Sequence, residues 1–324
     1  MVESVVDGGM EINVRSFAWH DLLTLYRCRR RVLCTDSAQV LTHGNPLGPL
    51  AMLTRLDPTR GIFTGVCPAR NGSSALIGQI TYIPGERSAR ISFLLPLDGI
   101  DHPALPDLLE ALAEMAGSWG ALNLLAEVDE HSDALDPIRH NGFSVYAWQS
   151  IWQFLPASNG HAHTSWQPAA SVDEVAVRSL YQLLVPPLVQ SAEPFPGHSP
   201  QRLVYRQDGD ILAYADATYG PQGIYLQPVV HPAVEDLDGL LAGLIARLPT
   251  LPQRTVYVAA RSYQAWLEPA LQRLEGQTSP RQALLVKHLA VAQRAGLLAR
   301  QTARDMITSD ASVPIAQHST IHDN

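Results

Sequence analysis

Apolar and polar positions along this chain fall into a pattern that occurs twice. Residues Ile91 to Gly117, "ISFLLPLDGIDHPALPDLLEALAEMAG", read as an apolar strand ending at a proline, a polar turn, and a helix with leucines at helical spacing. Residues Ile224 to Leu248, "IYLQPVVHPAVEDLDGLLAGLIARL", follow the same plan. Each run is followed by a second apolar strand ("ALNLLAEV" and "TVYVAA"), a short helix ("DALDPIRHNG" and "WLEPALQRLEG") and a last strand ("FSVYAWQSIWQF" and "RQALLVKHL"). The offset is about 130 residues, which indicates a duplicated domain and not a solenoid period.

The preceding segments agree. "LIGQITYIPGERSARISFLL" and "ILAYADATYGPQGIYLQP" each predict strand, turn, strand, with Pro-Gly or Gly-Pro marking the turn. Farther upstream, "WHDLLTLYRCRRRVL" and "VDEVAVRSLYQLLVPPLV" each place Leu-Tyr on the apolar face of a predicted helix. Each half therefore reads β, α, β, β, β, α, β, α, β. The expected class is α/β, an α+β mixed sheet with helices on both faces. The central strand, helix, strand unit implies a parallel crossover, with ligand sites at the carboxyl ends of its strands. The expected boundaries are a first domain at 1–156, a polar linker at 157–166, a second domain at 167–290, and a tail at 291–324 without periodicity, expected to be disordered.

Composition narrows the function classes. A chain of 324 residues exceeds what one core organises, and 46% hydrophobic with 17% charged residues marks a globular protein. The net charge of -8 argues against a general nucleic-acid binder. The start "MVESVVDGGMEINV" has no apolar core, and "ALLVKHLAVAQRAGLLA" is too polar to span a bilayer. Cys28, Cys34 and Cys67 are odd in number with no paired metal spacing, as in a reducing compartment, so a cytoplasmic protein that meets no membrane is expected. His161 and His163 lie in the linker without a third ligand nearby, so no metal is expected. Arg27, Arg29, Arg30 and Arg31 spread round a predicted helix as a solvated face.

The order strand, loop, long helix, strand, short helix, "NGF", strand resembles the GNAT superfamily of acyl-CoA-dependent N-acyltransferases. "RHNGFSVYAWQSIW" is similar to the family's Gly-Phe before its last strands, and "VVHP" to the Val-x-Pro closing its central strand. The resemblance covers about Ile12 to Phe154 and Ser165 to Leu289 and implies two tandem GNAT-like domains. It implies acetyl-CoA as co-substrate and a small-molecule or peptide amine as acceptor. In that family a glycine-rich loop at the start of the long helix holds the coenzyme pyrophosphate. The corresponding positions in the first half are Leu94, Leu95, Leu97, Gly99 and His102, with Pro103 suited to a first helical position and Asp101 readable as its N-cap. In the second half Glu235, Asp236 and Asp238 stand where the family carries a basic residue and glycines, and three carboxylates repel a pyrophosphate. The family's acidic Tyr corresponds to Ile138 and Gln272, neither of which protonates a thiolate.

The acidic corner Glu127, Asp129, His131 at the end of the first half's central strand supplies the candidate catalytic groups. Burial would raise a carboxyl there towards a useful base, and an imidazole titrates near neutrality unaided. Asp129 to Asp133 also read as a solvated loop and N-cap. In the second half, Arg261 and Tyr263 are the residues at the matching corner, as ligand contacts or as packing. Two functions remain open from sequence: acyl transfer to an amine in the first half, or a GNAT-like binding protein in which both halves have lost the chemistry.

Overall fold

The computed structural model describes residues 14–48, 61–68, 75–96, 102–155, 165–195, 201–248 and 254–289. Most of the linker and all of the tail, with His161 and His163, lie outside them.

In the first half the strands are β1 (Arg15–Ser16), β2 (Leu33–Cys34), β3 (Ile62–Cys67), β4 (Leu76–Thr81), β5 (Ser88–Leu95), β6 (Asn123–Asp129) and β7 (Ser144–Phe154). Its helices are α1 (Leu22–Cys28), α2 (Ser37–His43), α3 (Leu105–Ser118) and α4 (Leu135–His140). The second half has β8 (Trp166–Pro168), β9 (Arg202–Gln207), β10 (Asp210–Tyr219), β11 (Gly223–Val230), β12 (Thr255–Arg261), β13 (Gln277–Thr278) and β14 (Gln282–His288). Helices α5 (Glu174–Leu184), α6 (Pro187–Ala192), α7 (Leu237–Arg247) and α8 (Glu268–Arg273) complete it.

The predicted hairpins form as β4–β5 and β10–β11, and the predicted crossovers as parallel β5–β6 and β11–β12. Alternation assigns the faces. Ala89 and Ile91 of β5 with Leu124, Ala126 and Val128 of β6 meet Leu105, Leu108, Leu109 and Leu112 of α3 in one core. A second core packs β11 and β12 on α7 and α8. At "NGF", Gly142 takes φ +86° after α4, which a side chain resists, and Phe143 drops into the first core.

The last strands do not stay with their own halves. The sheet order runs β5, β6, β14, β7, β12, β11, so β14 of the second half lies between two strands of the first. It pairs with β6 from Asn123 to Asp129 and with β7 from Ser144 to Gln149. The rest of β7, Gln149 to Phe154, pairs with β12. The two halves thus share one 14-stranded sheet. Helices cross over as well. Ala38 and Leu41 of α2 pack on Tyr225 and Ala259 of the second half, while Asn123 Nδ2 and Ser88 Oγ of the first half donate to carbonyls at the end of α6. Close approach requires glycine here: a Cβ on Gly220 would sit 2.1 Å from the Thr42 carbonyl oxygen.

Four local expectations need correction. The helix read through "YRCRRR" stops at Cys28, so Arg30 and Arg31 lie beyond it. Leu25 is buried but Tyr26 is exposed and carries Arg29 on its ring. The single helix expected through "LLVPPLV" breaks at Val185–Pro186, because proline disfavours helical backbone in the residue before it. Helix α3 begins at Leu105, after a turn in which His102 Nδ1 accepts from Ala104 N.

Strand exchange makes each half's core depend on the other. Leu285 of β14 sits in the first core and Leu284 in the core between the halves. Leu285→Ala is expected to destabilise the whole chain by about 2–5 kcal/mol in chemical denaturation. Residues 1–155 expressed alone should precipitate, and co-expression with the remainder should restore solubility.

Candidate functional site

Strands β5 and β6 are paired only over Ser88 to Arg90 with Asn123 to Leu125, and then diverge. Diverging parallel strands expose main-chain N–H and C=O groups towards their carboxyl ends, where a ligand can bind. Here the gap holds the protein's own chain. Leu33 and Cys34 pair with Leu94 and Phe93, Thr35 N donates to Ser92 O (3.2 Å), and Glu127 N donates to Thr35 O (3.0 Å). The Thr35 hydroxyl adds a bond to Ile91 O (2.7 Å). Residues 33–35 thus bridge both lips of the opening.

Helix α2 starts directly behind this bridge. Asp36 caps it through Gln39 N, and Ser37 N donates to Glu127 Oε2 at 3.0 Å. Gln149 Nε2 donates to the same oxygen at 3.1 Å. Glu127 therefore holds the bridge by its main chain and by its carboxylate. Burial, then the nearby Asp36, push its carboxyl above the usual range, against Arg90 and Arg261.

The other expected site residues are dispersed. Asp129 and His131 are exposed, and Asp129 Oδ1 accepts from Gln282 Nε2. Leu94 is buried and paired on both sides, with Gly78 and with Leu33, and Leu95 is buried against β4. His102 closes its own turn, and Leu97 and Gly99 lie outside the described residues. The Cys34 thiol is pushed up to about 11 by burial and Asp36, so it is a neutral packing group.

The second half closes its gap differently. Strands β11 and β12 pair over Gly223 to Leu226 and then diverge, and the fully buried side chain of Gln264 enters. Its Oε1 accepts from Val230 N (2.8 Å) and its Nε2 donates to Pro228 O (3.0 Å). One side-chain amide takes both main-chain groups at the end of β11. At the start of α7, Asp236 accepts from Gly239 N, and Asp238 pairs with Arg273.

Between the halves lies a buried polar cluster that sequence reading caught only in part. Arg261, 1% exposed, meets both oxygens of Glu193 at 3.4 Å through Nη2. Tyr146 donates to the same carboxylate. Arg90 faces Glu127 at 3.5 Å and Glu193 at 3.8 Å. Burial alone would raise the Glu193 carboxyl, but Arg261, Arg90 and bonds from Tyr146 and Gln227 hold it below its ordinary value. Arg90, Gln149, Glu193 and Gln264 were missed. The available signal was a lone charge in an apolar strand, as in "SARISFLL", since such a residue is rarely buried unless paired.

Two adjoining cavities open onto this cluster. One of about 310 Å³ is lined by Arg90, Glu127, Tyr225 and Arg261 among others. The other, about 660 Å³, carries Tyr181, Phe195 and Tyr214. They share Glu86, Ser88, Arg90, Asp216, Thr218 and Gln227, and so form one groove between the halves.

This architecture has counterparts among solved structures. A GCN5-related N-acetyltransferase from Sphaerobacter thermophilus matches 86% of this chain and 95% of its own, at 13% identity and a TM-score of 0.53. The fold is that of the GNAT acetyltransferases. A tandem GNAT protein from the clavulanic acid biosynthesis pathway aligns over 86% of this chain and 98% of its own (16% identity, TM-score 0.45). A GNAT-family acetyltransferase from Colwellia psychrerythraea aligns over 85% and 99% (10% identity, TM-score 0.42). No protein-family model and no curated protein matches the sequence. The chain is thus a mixed α/β protein of two tandem GNAT-like halves. Among the described residues, no group of three His, Cys, Asp or Glu could hold a metal, and no helix is long and apolar enough to cross a membrane.

The two buried carboxylates have opposite pH signatures. The Glu127 carboxyl is raised, so its contribution is present below the ordinary carboxyl range and lost as pH rises through its folded value. Glu127→Gln should therefore gain melting temperature relative to the parent as pH rises from about 4.5 to neutrality. The Glu193 carboxyl is depressed, so its contribution is present above that range and lost as pH falls. Glu193→Gln strands Arg261 and should cost about 3–5 kcal/mol at neutral pH, less in acid.

Proposed function

We propose that this chain is a GNAT-fold binding protein that does not use acyl-coenzyme A, its ligand site being the groove between the two halves. The observation that carries this reading is the occupation of the first half's strand gap by residues 33–35, hydrogen-bonded to β5 on one side and β6 on the other. The second half's gap is closed by Gln264, and the start of its long helix by Asp236. The described residues do not fit the coenzyme: the main-chain edges of both strand gaps are already paired, and Asp236 and Asp238 stand beside the second half's helix start. The expected acid is also missing from both halves, at Ile138 and Gln272.

A second reading, acyl transfer from acetyl-CoA to a small-molecule or peptide amine in the first half, has one observation in its favour. Glu127 is a buried carboxyl with a raised pKa at the carboxyl end of β6, lining a cavity, which suits a general base. It requires residues 33–35 to leave the gap.

Calorimetric titration with acetyl-CoA and CoA separates the two. The binding-protein reading expects no association tighter than about 1 mM. Micromolar binding that is lost in Gly99→Glu would overturn it and return the coenzyme to the first half.

A further inference from the structure

The groove's hydrogen-bonding groups are unevenly committed, and this identifies what it lacks. Its carboxylates other than the exposed Glu86 are engaged. Asp216 takes Arg202 through both oxygens at 2.8 and 3.1 Å, Glu193 takes Arg261 and Tyr146, Glu127 takes Ser37 and Gln149, and Asp36 caps α2. Its guanidiniums are not. Among the described residues Arg261 engages through Nη2 alone, while its Nε and Nη1 are buried without a partner there. Arg90 meets its carboxylates at 3.5 and 3.8 Å, longer than a charge-assisted hydrogen bond, with its side chain 37% exposed at the junction of the two cavities. Unfilled capacity in the buried cluster between the halves is therefore donor capacity, and it calls for an acceptor.

Charge limits which acceptor. The smaller cavity alone is lined by Asp36, Glu86, Glu127 and Asp216 against Arg90 and Arg261. A dianion such as phosphate would face this acidic excess, whereas a single carboxylate can bridge to Arg90 in the planar geometry guanidinium favours. The adjoining cavity supplies an apolar end. Tyr181 and Phe195 stand 5.3 Å apart with tilted rings, and Leu125 and Tyr214 complete the wall. Aromatic walls of this kind accept a flat apolar body by stacking and edge contacts. The volumes, about 310 and 660 Å³, lie in the range of small-molecule sites.

We infer that the groove between the halves binds a monocarboxylate with an aromatic body, its carboxylate at Arg90 and its ring among Tyr181, Phe195 and Tyr214. This rests on the reading above that the groove is the ligand site. The probes are 3-phenylpropionate, its amide, phenethylamine and inorganic phosphate, titrated into the full-length protein by calorimetry with melting temperature in parallel. 3-Phenylpropionate should bind and raise the melting temperature, and the amide should bind about tenfold more weakly, having lost the charge on the acceptor. Phenethylamine and phosphate should not bind. Arg90→Gln should weaken the carboxylate at least about tenfold while leaving the amide unchanged, a split that general unfolding would not produce.

Tighter binding of phenethylamine, equal binding of phosphate, unchanged carboxylate binding in Arg90→Gln, or no binding of any organic probe would each overturn the inference. Acetyl-CoA is titrated in the same series. If it binds, the binding-protein reading fails; if neither it nor the carboxylate binds, only the present inference fails.

Discussion

A parallel strand pair that diverges leaves main-chain donors and acceptors unpaired, and buried groups of that kind must find partners. Much of this protein's architecture follows from meeting that demand internally. In the first half the partner is a two-residue strand and Thr35; in the second it is one glutamine side chain. The free edges of β6 and β12 are met the same way, each by the other half's last strand. With the strand gaps and the edges of β6 and β12 already paired, the centre of the sheet has little to offer a ligand that binds through main-chain amides, so the recognition capacity is left to side chains between the halves.

Those side chains form a chain of charges, Arg261 to Glu193 to Arg90 to Glu127. Burying such groups is unfavourable unless each is paired, and a hydrophobic replacement of the whole set can be as stable. What distinguishes this set is position. Arg90 and Glu127 come from the first half, Glu193 and Arg261 from the second, and the cluster lies on the sheet face where α2 and α6 have exchanged sides. The pairs are also loose, at 3.4 to 3.8 Å, and Arg261 keeps two nitrogens without partners among the described residues. Energetically this is a poor structural keystone but a suitable binding surface, because donors held rigidly and left unpaired lose little when a ligand takes them.

Much of the fold was legible in the sequence, because hairpins and crossovers are local. "YIPGERS" and "YGPQG" mark their turns by residue chemistry, the "NGF" glycine meets a positive φ, and leucine spacing marks α3 and α7. Strand exchange was not legible. Alternation in "RQALLVKHL" says which face each residue takes but not which strand lies alongside, and β14 would satisfy the same pattern next to either half's strands. The bridge at residues 33–35 was hidden for a related reason, since two residues carry no period. Of the acidic corner, Glu127 alone is buried, and the separation from Asp129 follows from the sheet: β6 ends there, and the next residues leave its cover.

Glu127 joins these threads. It is the residue through which the bridge and the groove are physically coupled: one oxygen accepts from Ser37 N behind the bridge, and the other faces Arg90 in the groove. A carboxylate arriving at Arg90 would compete with Glu127 for the same cation and weaken one of the two opposite charges, Arg90 and Arg261, that act on it. Its carboxyl is already raised by burial and by Asp36, so the loss of Arg90 would favour its protonated form. The protonated acid can still accept from Ser37 N, so the bridge need not open. Occupancy of the groove would thus be recorded as proton uptake at the bridge. By linkage, that makes carboxylate affinity rise as pH falls towards the Glu127 range, and an acyl-transfer site using the same carboxyl as a base would respond in the opposite sense.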